Sequence, residues 1–401
     1  MSSVTEIQEH STSSRDGRLT AVGDSSDGKP RWSNQSFDFT LPEDLRRVFP
    51  DYRTPDGVSA YLYAKEQGIQ YPNYSQWKME PYVEKTGFQD KGALSNPEKS
   101  ALLRAAKEVI HLTPYCGTEI VGLKLTELSD EQKNDLARLA AERGVVVFRG
   151  QDDLFIREQI KFTSYFGEPH IHQQSGIIPD LPWSHIVYKD ETSLNGLRSQ
   201  VWHSDVPYEL NSAGLTTMRF DLLPQAENGD FIGGDTLFAN GYLIYEALDP
   251  QFRAWLETLK AKSSGLGQAA VAARLDMETR RPAFETEHPI VRTNPVTGLK
   301  SLYVAENFTT EIVGLEKRLS KSILDYLFDH IRRCLQFQCR IKWSLNDVAV
   351  WDNRSHFHTG IFDYFPKTRH GTRVIAQAER PYLAENSKLY SEVKFQGYST
   401  T

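Results

Sequence analysis

Two histidines and one aspartate stand at spacings that can build a metal site. His203 and Asp205 are two residues apart, and residues i and i+2 of a β-strand point to the same face of a sheet. A histidine from a later strand would complete a face of two imidazoles and one carboxylate. This donor set leaves three positions of an octahedral metal ion open, which is the arrangement of non-haem Fe(II) oxygenases.

The third ligand has two candidates, His356 and His358. They are also two residues apart, so one strand would point both toward the same face, and the spacing does not choose between them. The residues just before them, Asp352, Asn353 and Arg354, are expected to shape a turn and to support the strand that carries the ligand.

Two arginines, Arg369 and Arg373, follow these histidines and are four residues apart. In one strand they would face the same cavity. A guanidinium pairs well with a carboxylate, and two buried guanidiniums are costly unless anions neutralise them. The pair therefore predicts two anionic ligands, namely a dicarboxylic cosubstrate such as 2-oxoglutarate and an anionic primary substrate.

The composition is that of an ordinary globular protein. The chain has 401 residues, of which 39% are hydrophobic and 25% are charged. The formal net charge of −7 predicts no bulk attraction to nucleic acid or to acidic membranes. No apolar run of about 18 residues is present, so no transmembrane helix is expected. The polar stretch Met1–Ser14 and the 3 unpatterned cysteines favour a cytoplasmic protein.

Composition also divides the chain into four segments. Residues 1–36 are rich in Ser, Gly, Asp and Thr and are expected to be a disordered tail. Residues 37–114 are expected to form a peripheral N-terminal extension. Residues 115–383 would be the folded domain that carries all the candidate ligands, and residues 384–401 would be a C-terminal tail.

Local signals mark the first elements of that domain. Ser129 opens a capping box, which predicts a helix that ends at Gly144. Residues 145–148 are predicted to form a short buried strand. Asn96, followed by proline, predicts another helix that runs to about Ile110.

The second half of the chain alternates between strand and helix patterns. Strands are expected at residues 216–223, 337–343 and 347–351, and residues 261–285 are expected to be a mobile connection over the mouth of the pocket. Strands on both sides of helical insertions indicate a mostly β protein whose core is a double-stranded β-helix, the jelly roll of cupin-like proteins. The absence of a glycine-rich dinucleotide motif argues against a Rossmann fold.

Five motifs occur in an order that resembles one known family. They are Phe166–His172, Trp202–Asp205, Gly233–Thr236, Trp351–Arg354 with His358, and the pair Arg369 and Arg373. Together they resemble the TauD/TfdA family of 2-oxoglutarate-dependent dioxygenases, and in particular its fungal sulfonate-dioxygenase branch. The resemblance covers residues 115–383.

The resemblance implies roles for the metal and cosubstrate residues. His203, Asp205 and His358 would bind Fe(II) and form the catalytic centre, which also uses O2. Thr236 and Arg369 would hold the distal carboxylate of 2-oxoglutarate.

The resemblance also implies the contacts of the primary substrate, a small organic anion. Arg373 and His172 would meet its charged group, and Val206 and Phe308 would contact the rest. An alkyl sulfonate or a sulfate ester is preferred, because hydroxylation next to the heteroatom would release sulfite or sulfate and leave an aldehyde. A carboxylate or an amino acid is the alternative, since a guanidinium pairs with either anion.

Two departures from the pattern of taurine dioxygenases fall on expected substrate contacts. Ser175 and Ser199 stand where larger side chains are found, so the pocket should be roomier. Three aromatic residues, Trp202, Phe308 and Phe357, are expected to exclude water from the cationic wall.

Two other classes of protein would use the same residues. A zinc hydrolase would need a general base in addition to the ligands, and no candidate is evident. A non-catalytic metal-binding jelly roll would not need the complete set of ligands and arginines. The sequence is compatible with a homo-oligomer and does not fix the oligomeric state.

Overall fold

The computed structural model describes residues 79, 82–178, 181–191, 201–274 and 279–395. The disordered tail expected at residues 1–36, most of the extension expected at residues 37–114, and Ser199 lie outside these residues.

This part of the chain contains seven α-helices and fifteen β-strands. The helices are α1 (Ser100–Leu103), α2 (Asp130–Arg143), α3 (Ile156–Ser164), α4 (Gly241–Glu246), α5 (Pro250–Leu256), α6 (Leu266–Arg274) and α7 (Lys317–Arg333). The strands are β1 (Glu108–His111), β2 (Thr118–Val121), β3 (Val145–Phe148), β4 (His185–Lys189), β5 (Ala213–Leu222), β6 (Thr236–Asn240), β7 (Lys260–Ser264), β8 (Glu285–Pro289), β9 (Val291–Thr293), β10 (Lys300–Leu302), β11 (Thr309–Ile312), β12 (Gln338–Ile341), β13 (Val348–Asp352), β14 (His356–Gly360) and β15 (Arg369–Gln377). The protein is mostly β with few helices, as predicted.

The strands form one large sheet and three small ones. The large sheet has seven strands in the order β1-β2-β3-β13-β5-β15-β4, with β2 and β3 parallel and the other neighbours antiparallel. The sheet β12-β6-β14 packs against one face of it through a shared apolar core. The remaining sheets are β11-β7-β8 and β10-β9.

The apolar sequence of β3 follows from its position in the middle of the large sheet. Val145 and Val147 pack toward Phe238 of the second sheet. Val146 and Phe148 point the other way and pack against α2 and α3. A strand that is buried on both faces must be apolar at every position, which is why this one has no polar alternation.

The capping box predicted at the start of α2 is confirmed. The Ser129 hydroxyl accepts a hydrogen bond from the backbone of Gln132 at 3.2 Å, and the Gln132 side chain accepts one from the backbone of Ser129 at 2.9 Å. The helix ends at Gly144, whose φ of +83° suits glycine. Local chemistry therefore fixes both ends of α2.

The long helix predicted from Asn96 to Ile110 is wrong. α1 has four residues, and the chain then becomes β1, which pairs with β2. Lys99 precedes α1 with a φ of 54°, and its buried ammonium lies 2.8 Å from the Glu142 carboxylate of α2. This tertiary contact overrides the local helix signal.

The connection predicted at residues 261–285 is also wrong in its local structure. It contains β7, which pairs with both β8 and β11, and α6. Its predicted place near the pocket is supported, because Gln268 of α6 lines the cavity described below. No helix in the described part of the chain is long and apolar enough to cross a membrane.

Candidate metal centre and anion pocket

The two histidines of the candidate metal centre are backbone partners. His358 lies in β14, and His203 forms an isolated antiparallel bridge to it with N–H···O distances of 3.1 and 2.8 Å. The strand expected at residues 203–205 is therefore reduced to this bridge, after which irregular chain brings Asp205 to the same point. One ligand atom from each of these three residues lies within 4.8 Å of the other two.

Both imidazoles are neutral. Nδ1 of His203 lies 2.8 Å from the carbonyl oxygen of Val201, so Nδ1 donates its proton there and Nε2 keeps its lone pair. Burial lowers the pKa of His203, and burial together with the neighbouring His203 ring lowers the pKa of His358 to about 3. Neutral imidazoles carry the lone pairs that a metal ion requires.

Asp205 stays ionised, and both of its carboxylate oxygens accept hydrogen bonds. Burial alone would raise its pKa, but the charge of the Arg373 guanidinium lowers it. The Thr216 hydroxyl donates to Oδ2 at 3.2 Å, and the Arg373 guanidinium donates to Oδ1. The backbone N–H of Asp205 donates to the side chain of Asn353 at 2.9 Å, and Trp351 donates to the same Asn353 oxygen at 3.1 Å.

Asp352 and Arg354 form a buried ion pair in the turn between β13 and β14. Burial alone would raise the pKa of Asp352, but the Arg354 guanidinium lowers it to about 2. Arg354 donates to both carboxylate oxygens of Asp352, at 2.9 and 2.7 Å. This ion pair therefore stabilises the turn that leads into β14, the strand that carries His358.

His356 begins the same strand as His358 but does not reach the cluster. Its ring packs against Gly144 and lies edge-on to Tyr242, with ring centroids 5.5 Å apart. Burial lowers its pKa to about 3. Among the described residues, the cluster that could hold a metal ion contains His203, Asp205 and His358.

Arg369 is a buried cation that forms no ion pair with any described residue. It is 2% exposed, and its guanidinium carbon lies 3.8 Å from the ring centroid of Phe220. Burial lowers its pKa, although Tyr364 accepts a hydrogen bond from it. Its Nε has no hydrogen-bond partner among the described residues. A group in this state fits an incoming carboxylate.

Thr236 opens β6 close to Arg369. A Cβ on Gly234, two residues earlier, would lie 3.3 Å from the Arg369 side chain. The Thr236 hydroxyl accepts a hydrogen bond from Trp343 at 3.0 Å, and Trp343 packs edge-on against Phe220. Thr236 therefore contacts Trp343 and Arg369 contacts Phe220, and these two aromatic rings pack against each other.

A cavity of about 290 Å³ opens beside the metal cluster. Its lining includes all four residues predicted to contact the primary substrate, namely Arg373, His172, Val206 and Phe308. Its lining does not include Thr236 or Arg369. Arg369 therefore does not line the same cavity as Arg373, contrary to the expectation from their spacing in one strand.

Two of the three aromatic residues expected to border the pocket lie elsewhere. Phe308 lines the cavity, but Trp202 and Phe357 pack into the apolar core beneath α7. The expectation for these two was wrong because each directly precedes a proposed ligand, His203 or His358, and its side chain points away from the cluster into that core. Ser175 does line the cavity, and its hydroxyl has no hydrogen-bond partner among the described residues.

Sequence reasoning missed several lining residues, and His185 and Gln268 are two of the polar ones. His185 begins β4 directly opposite Arg373 in β15. No motif marks either residue. The pairing of β4 with β15 would have been the necessary signal, and a single strand does not reveal its partner.

The donor set fits a divalent metal ion and two anions. Two neutral imidazoles and one carboxylate are ligands that Fe(II) accepts, with coordination positions left for other ligands. No described residue forms an ion pair with Arg369, and Arg373 lines a cavity large enough for a small molecule. The described residues can therefore hold a metal ion beside a cationic cavity, with a second buried cation in the same strand as Arg373.

The chain is similar throughout this region to proteins of one family. Residues 108–375 match the family described as taurine catabolism dioxygenase TauD, TfdA family. A Schizosaccharomyces pombe protein, provisionally named alpha-ketoglutarate-dependent sulfonate dioxygenase, is 40% identical over 76% of this chain and 78% of its own. The alpha-ketoglutarate-dependent sulfonate dioxygenase of Saccharomyces cerevisiae is 36% identical over 73% of this chain and 72% of its own. A crystal structure of a taurine dioxygenase from Burkholderia xenovorans has a TM-score of 0.56 at 28% identity and covers 70% of this chain and 94% of that one.

Proposed function

The chain belongs to the TauD/TfdA family of dioxygenases, and on this premise we propose that it oxidises a C–H bond of an alkyl sulfonate or a sulfate ester. It is a non-haem iron oxidoreductase that uses Fe(II), 2-oxoglutarate and O2. The family resemblance predicted from the five motifs is confirmed.

The observation that carries the proposal is the convergence of His203, Asp205 and His358 beside a cavity with a cationic wall. We assign the iron to these three side chains. When bound there, iron and 2-oxoglutarate supply the oxidising power, since reduction of O2 is coupled to release of CO2 and succinate. The residues contribute two imidazole lone pairs and one anionic charge, which a divalent ion needs.

Arg369 and Thr236 are assigned to the distal carboxylate of 2-oxoglutarate. Arg369 is buried without an ion pair among the described residues, so a carboxylate would remove a large electrostatic penalty. The Thr236 hydroxyl accepts from Trp343 and therefore still has its own proton to donate. Together they offer a charged donor and a neutral one.

Arg373 and His172 are assigned to the charged group of the substrate, and Val206 and Phe308 to its carbon chain. With a sulfonate, insertion of one oxygen atom at the carbon bonded to sulfur gives an α-hydroxysulfonate. Loss of sulfite from this adduct leaves an aldehyde, and the second oxygen atom of O2 ends in succinate. The named sulfonate dioxygenase of yeast supports this choice of substrate.

The finer fold that we propose is the double-stranded β-helix. Its support is the packing of β12-β6-β14 against the seven-stranded sheet, with the ligand strand β14 at the edge of the smaller sheet. Two sheets stacked in this way are the layers of a jelly roll.

The test is a substrate panel in which succinate formation is measured with Fe(II), 2-oxoglutarate and O2. The panel contains taurine, isethionate, hexanesulfonate, hexyl sulfate, heptanoate, an amino acid and the uncharged 1-hexanol, and a reaction without substrate measures uncoupled turnover. We expect hexanesulfonate or hexyl sulfate to stimulate succinate release above this background. Stimulation by carboxylates alone would transfer the proposal to a carboxylate or amino acid. Stimulation by uncharged compounds alone would overturn the role given to Arg373.

A further inference from the structure

A histidine outside all the motifs stands next to the proposed substrate arginine. β4 and β15 are antiparallel neighbours, and their register puts His185 directly opposite Arg373. Directly paired residues project from the same face of a sheet, and both of these line the cavity. The ring of His172 lies beside that of His185, with centroids 4.8 Å apart. Three nitrogen-bearing side chains therefore meet at one wall.

The contact with Arg373 fixes the protonation state of His185. One guanidinium nitrogen, Nη2, lies 2.8 Å from Nδ1 and 3.3 Å from Nε2 of the ring. A guanidinium is a permanent cation that can only donate, so a protonated ring at this distance would be repelled and the ring must be neutral. Because Nη2 is close to both ring nitrogens at once, it lies over the face of the ring and not in line with the lone pair of either nitrogen. The contact therefore does not choose between the two tautomers, and the neutral ring carries one N–H in either of them. Burial and the charge of Arg373 also hold the pKa of His185 well below its usual range.

His172 is a neutral donor for a different reason. Its Nδ1 accepts the backbone N–H groups of Ser175 at 3.0 Å and Gln174 at 3.2 Å. Its proton is therefore on Nε2, which lies 3.5 Å from the Tyr208 hydroxyl oxygen. Tyr208 donates its own proton to Gln268 at 3.0 Å. Burial lowers the pKa of His172 well below its usual range.

Arg373 retains donors for a substrate despite its protein contacts. Nη1 donates to Asp205 and Nη2 donates to His185, whereas Nε has no partner among the described residues. A guanidinium has five N–H donors in all. The wall therefore offers one charged donor, Arg373, and two neutral rings, His172 and His185, that carry one N–H each.

We propose that His185 is a specificity-determining residue, whose Nε2–H is the third donor to a tetrahedral, singly charged sulfo group. This inference rests on the proposed function. A sulfonate or a sulfate ester presents three oxygens in three directions, and the three side chains can hold one each. A carboxylate has two oxygens in one plane, which Arg373 and His172 satisfy without His185. One cation and two neutral rings also suit a monoanion better than a phosphate monoester, which carries two charges.

Substitution of His185 by Asn or by Gln separates its contact with Arg373 from its proposed contact with the substrate. The two replacement side chains differ by one methylene group. His185→Asn keeps an acceptor near the position of Nδ1 for Arg373 but carries no N–H at the position of Nε2. His185→Gln extends an amide N–H to that position. Tyr188→Phe is the control, because Tyr188 lies in the same strand on the opposite face and donates to Asp190 at 2.6 Å. Tyr188 is not part of the cavity lining.

The experiment measures binding, not turnover. Hexanesulfonate and heptanoate, which have matched chains, are titrated calorimetrically into each protein loaded with Fe(II) and 2-oxoglutarate without O2. We expect His185→Asn to weaken hexanesulfonate roughly tenfold or more, as loss of a hydrogen bond to a charged group does, and heptanoate less than about threefold. His185→Gln should recover most of the sulfonate affinity, and Tyr188→Phe should bind both anions like the unmodified protein.

Each other outcome has a distinct meaning. Equal weakening of both anions by His185→Asn would reduce His185 to a support for Arg373 and overturn the inference, and so would unchanged sulfonate binding. If the unmodified protein binds heptanoate but not hexanesulfonate, the inference fails while the dioxygenase remains. If it binds neither this pair nor any other organic anion of the panel, the proposed function fails and the inference fails with it.

Discussion

At the scale of single residues, Asp205 connects the metal centre to the anion pocket. One of its oxygens lies 3.6 Å from Nε2 of His358 and is also contacted by Arg373. The same guanidinium lines the cavity proposed for the substrate. A single cation thus contacts both a proposed iron ligand and the space for the substrate anion, so the charges of the two sites are coupled.

The first prediction concerns which histidine completes the metal site. His203→Ala, Asp205→Ala and His358→Ala should each lose stoichiometric Fe(II), because each removes one of only three protein ligands. His356→Ala should retain iron, since that ring packs against Gly144 outside the cluster. Iron content after equilibrium dialysis measures this directly. Retention by His358→Ala together with loss by His356→Ala would reverse the assignment.

The second prediction separates the two arginines. Arg369→Ala should raise the 2-oxoglutarate concentration needed for binding by tens of fold, because a charge-assisted hydrogen bond contributes about 1.5–3 kcal/mol. Arg373→Ala should leave that requirement within a few fold and weaken hexanesulfonate instead. The visible charge-transfer absorption of the anaerobic iron complex follows the titration. Equal loss of 2-oxoglutarate affinity in both variants would contradict the separate roles.

At the scale of elements, the C-terminal end of α2 packs against the start of β14. Gly144 lies against the ring of His356, and a Cβ at Gly144 would stand 2.1 Å from that ring. His356 is two residues before His358 in the same strand. The junction between a helix and a strand therefore sets the position of a proposed iron ligand.

The third prediction is that Gly144→Ala destabilises the protein and weakens iron binding. Gly150→Ala is a control for a methyl group added at a positive φ, +59°, because it has open space around that group. The control should cost about 1–2 kcal/mol of unfolding free energy through its backbone conformation alone. Gly144→Ala should cost clearly more and also reduce iron retention, as measured by urea unfolding and equilibrium dialysis. Equal effects of the two changes would show that the contact with His356 is unimportant.

The elements that the sequence predicted correctly are those whose conformation is set by residues nearby in the chain. The cap at Ser129, the glycine at Gly144 and the apolar stretch of β3 are set by neighbours within a few residues. The helix expected after Asn96 failed because the buried contact of Lys99 comes from another element. His185 was missed for the same reason, since only the register of β4 with β15 brings it to the pocket.

At the scale of the whole molecule, the large sheet is covered on both faces, by α2 and α3 on one side and by the smaller sheet on the other. Histidines other than the proposed iron ligands are also buried as neutral rings in the described part of the chain. His288 in β8 is one of these, with Nε2 lying 2.9 Å from the carbonyl oxygen of Glu209. Burial lowers its pKa to about 4.

The fourth prediction follows from that pKa. An unfolded histidine titrates near 6.5, so between about pH 6.5 and 4 the unfolded chain binds a proton at His288 that the folded chain does not. The contribution of the neutral His288 to the free energy of unfolding is therefore fully present above pH 6.5. It falls as the pH drops, by about 2 kcal/mol at pH 5. His288→Gln removes the titration. Urea unfolding of the metal-free proteins should show that the stability gap between them narrows by about 2 kcal/mol from pH 7.5 to pH 5, whereas a constant gap would contradict the assignment.

The most direct test of the proposed chemistry is a reaction with hexanesulfonate under ¹⁸O₂ in the presence of Fe(II) and 2-oxoglutarate. We expect succinate and sulfite in equal amounts, with one ¹⁸O atom in each succinate molecule, and no sulfite when O2 or 2-oxoglutarate is omitted. The Asp205→Ala variant should form neither product. Sulfite released without succinate or without O2 would contradict the dioxygenase assignment and indicate that the same residues support a different reaction.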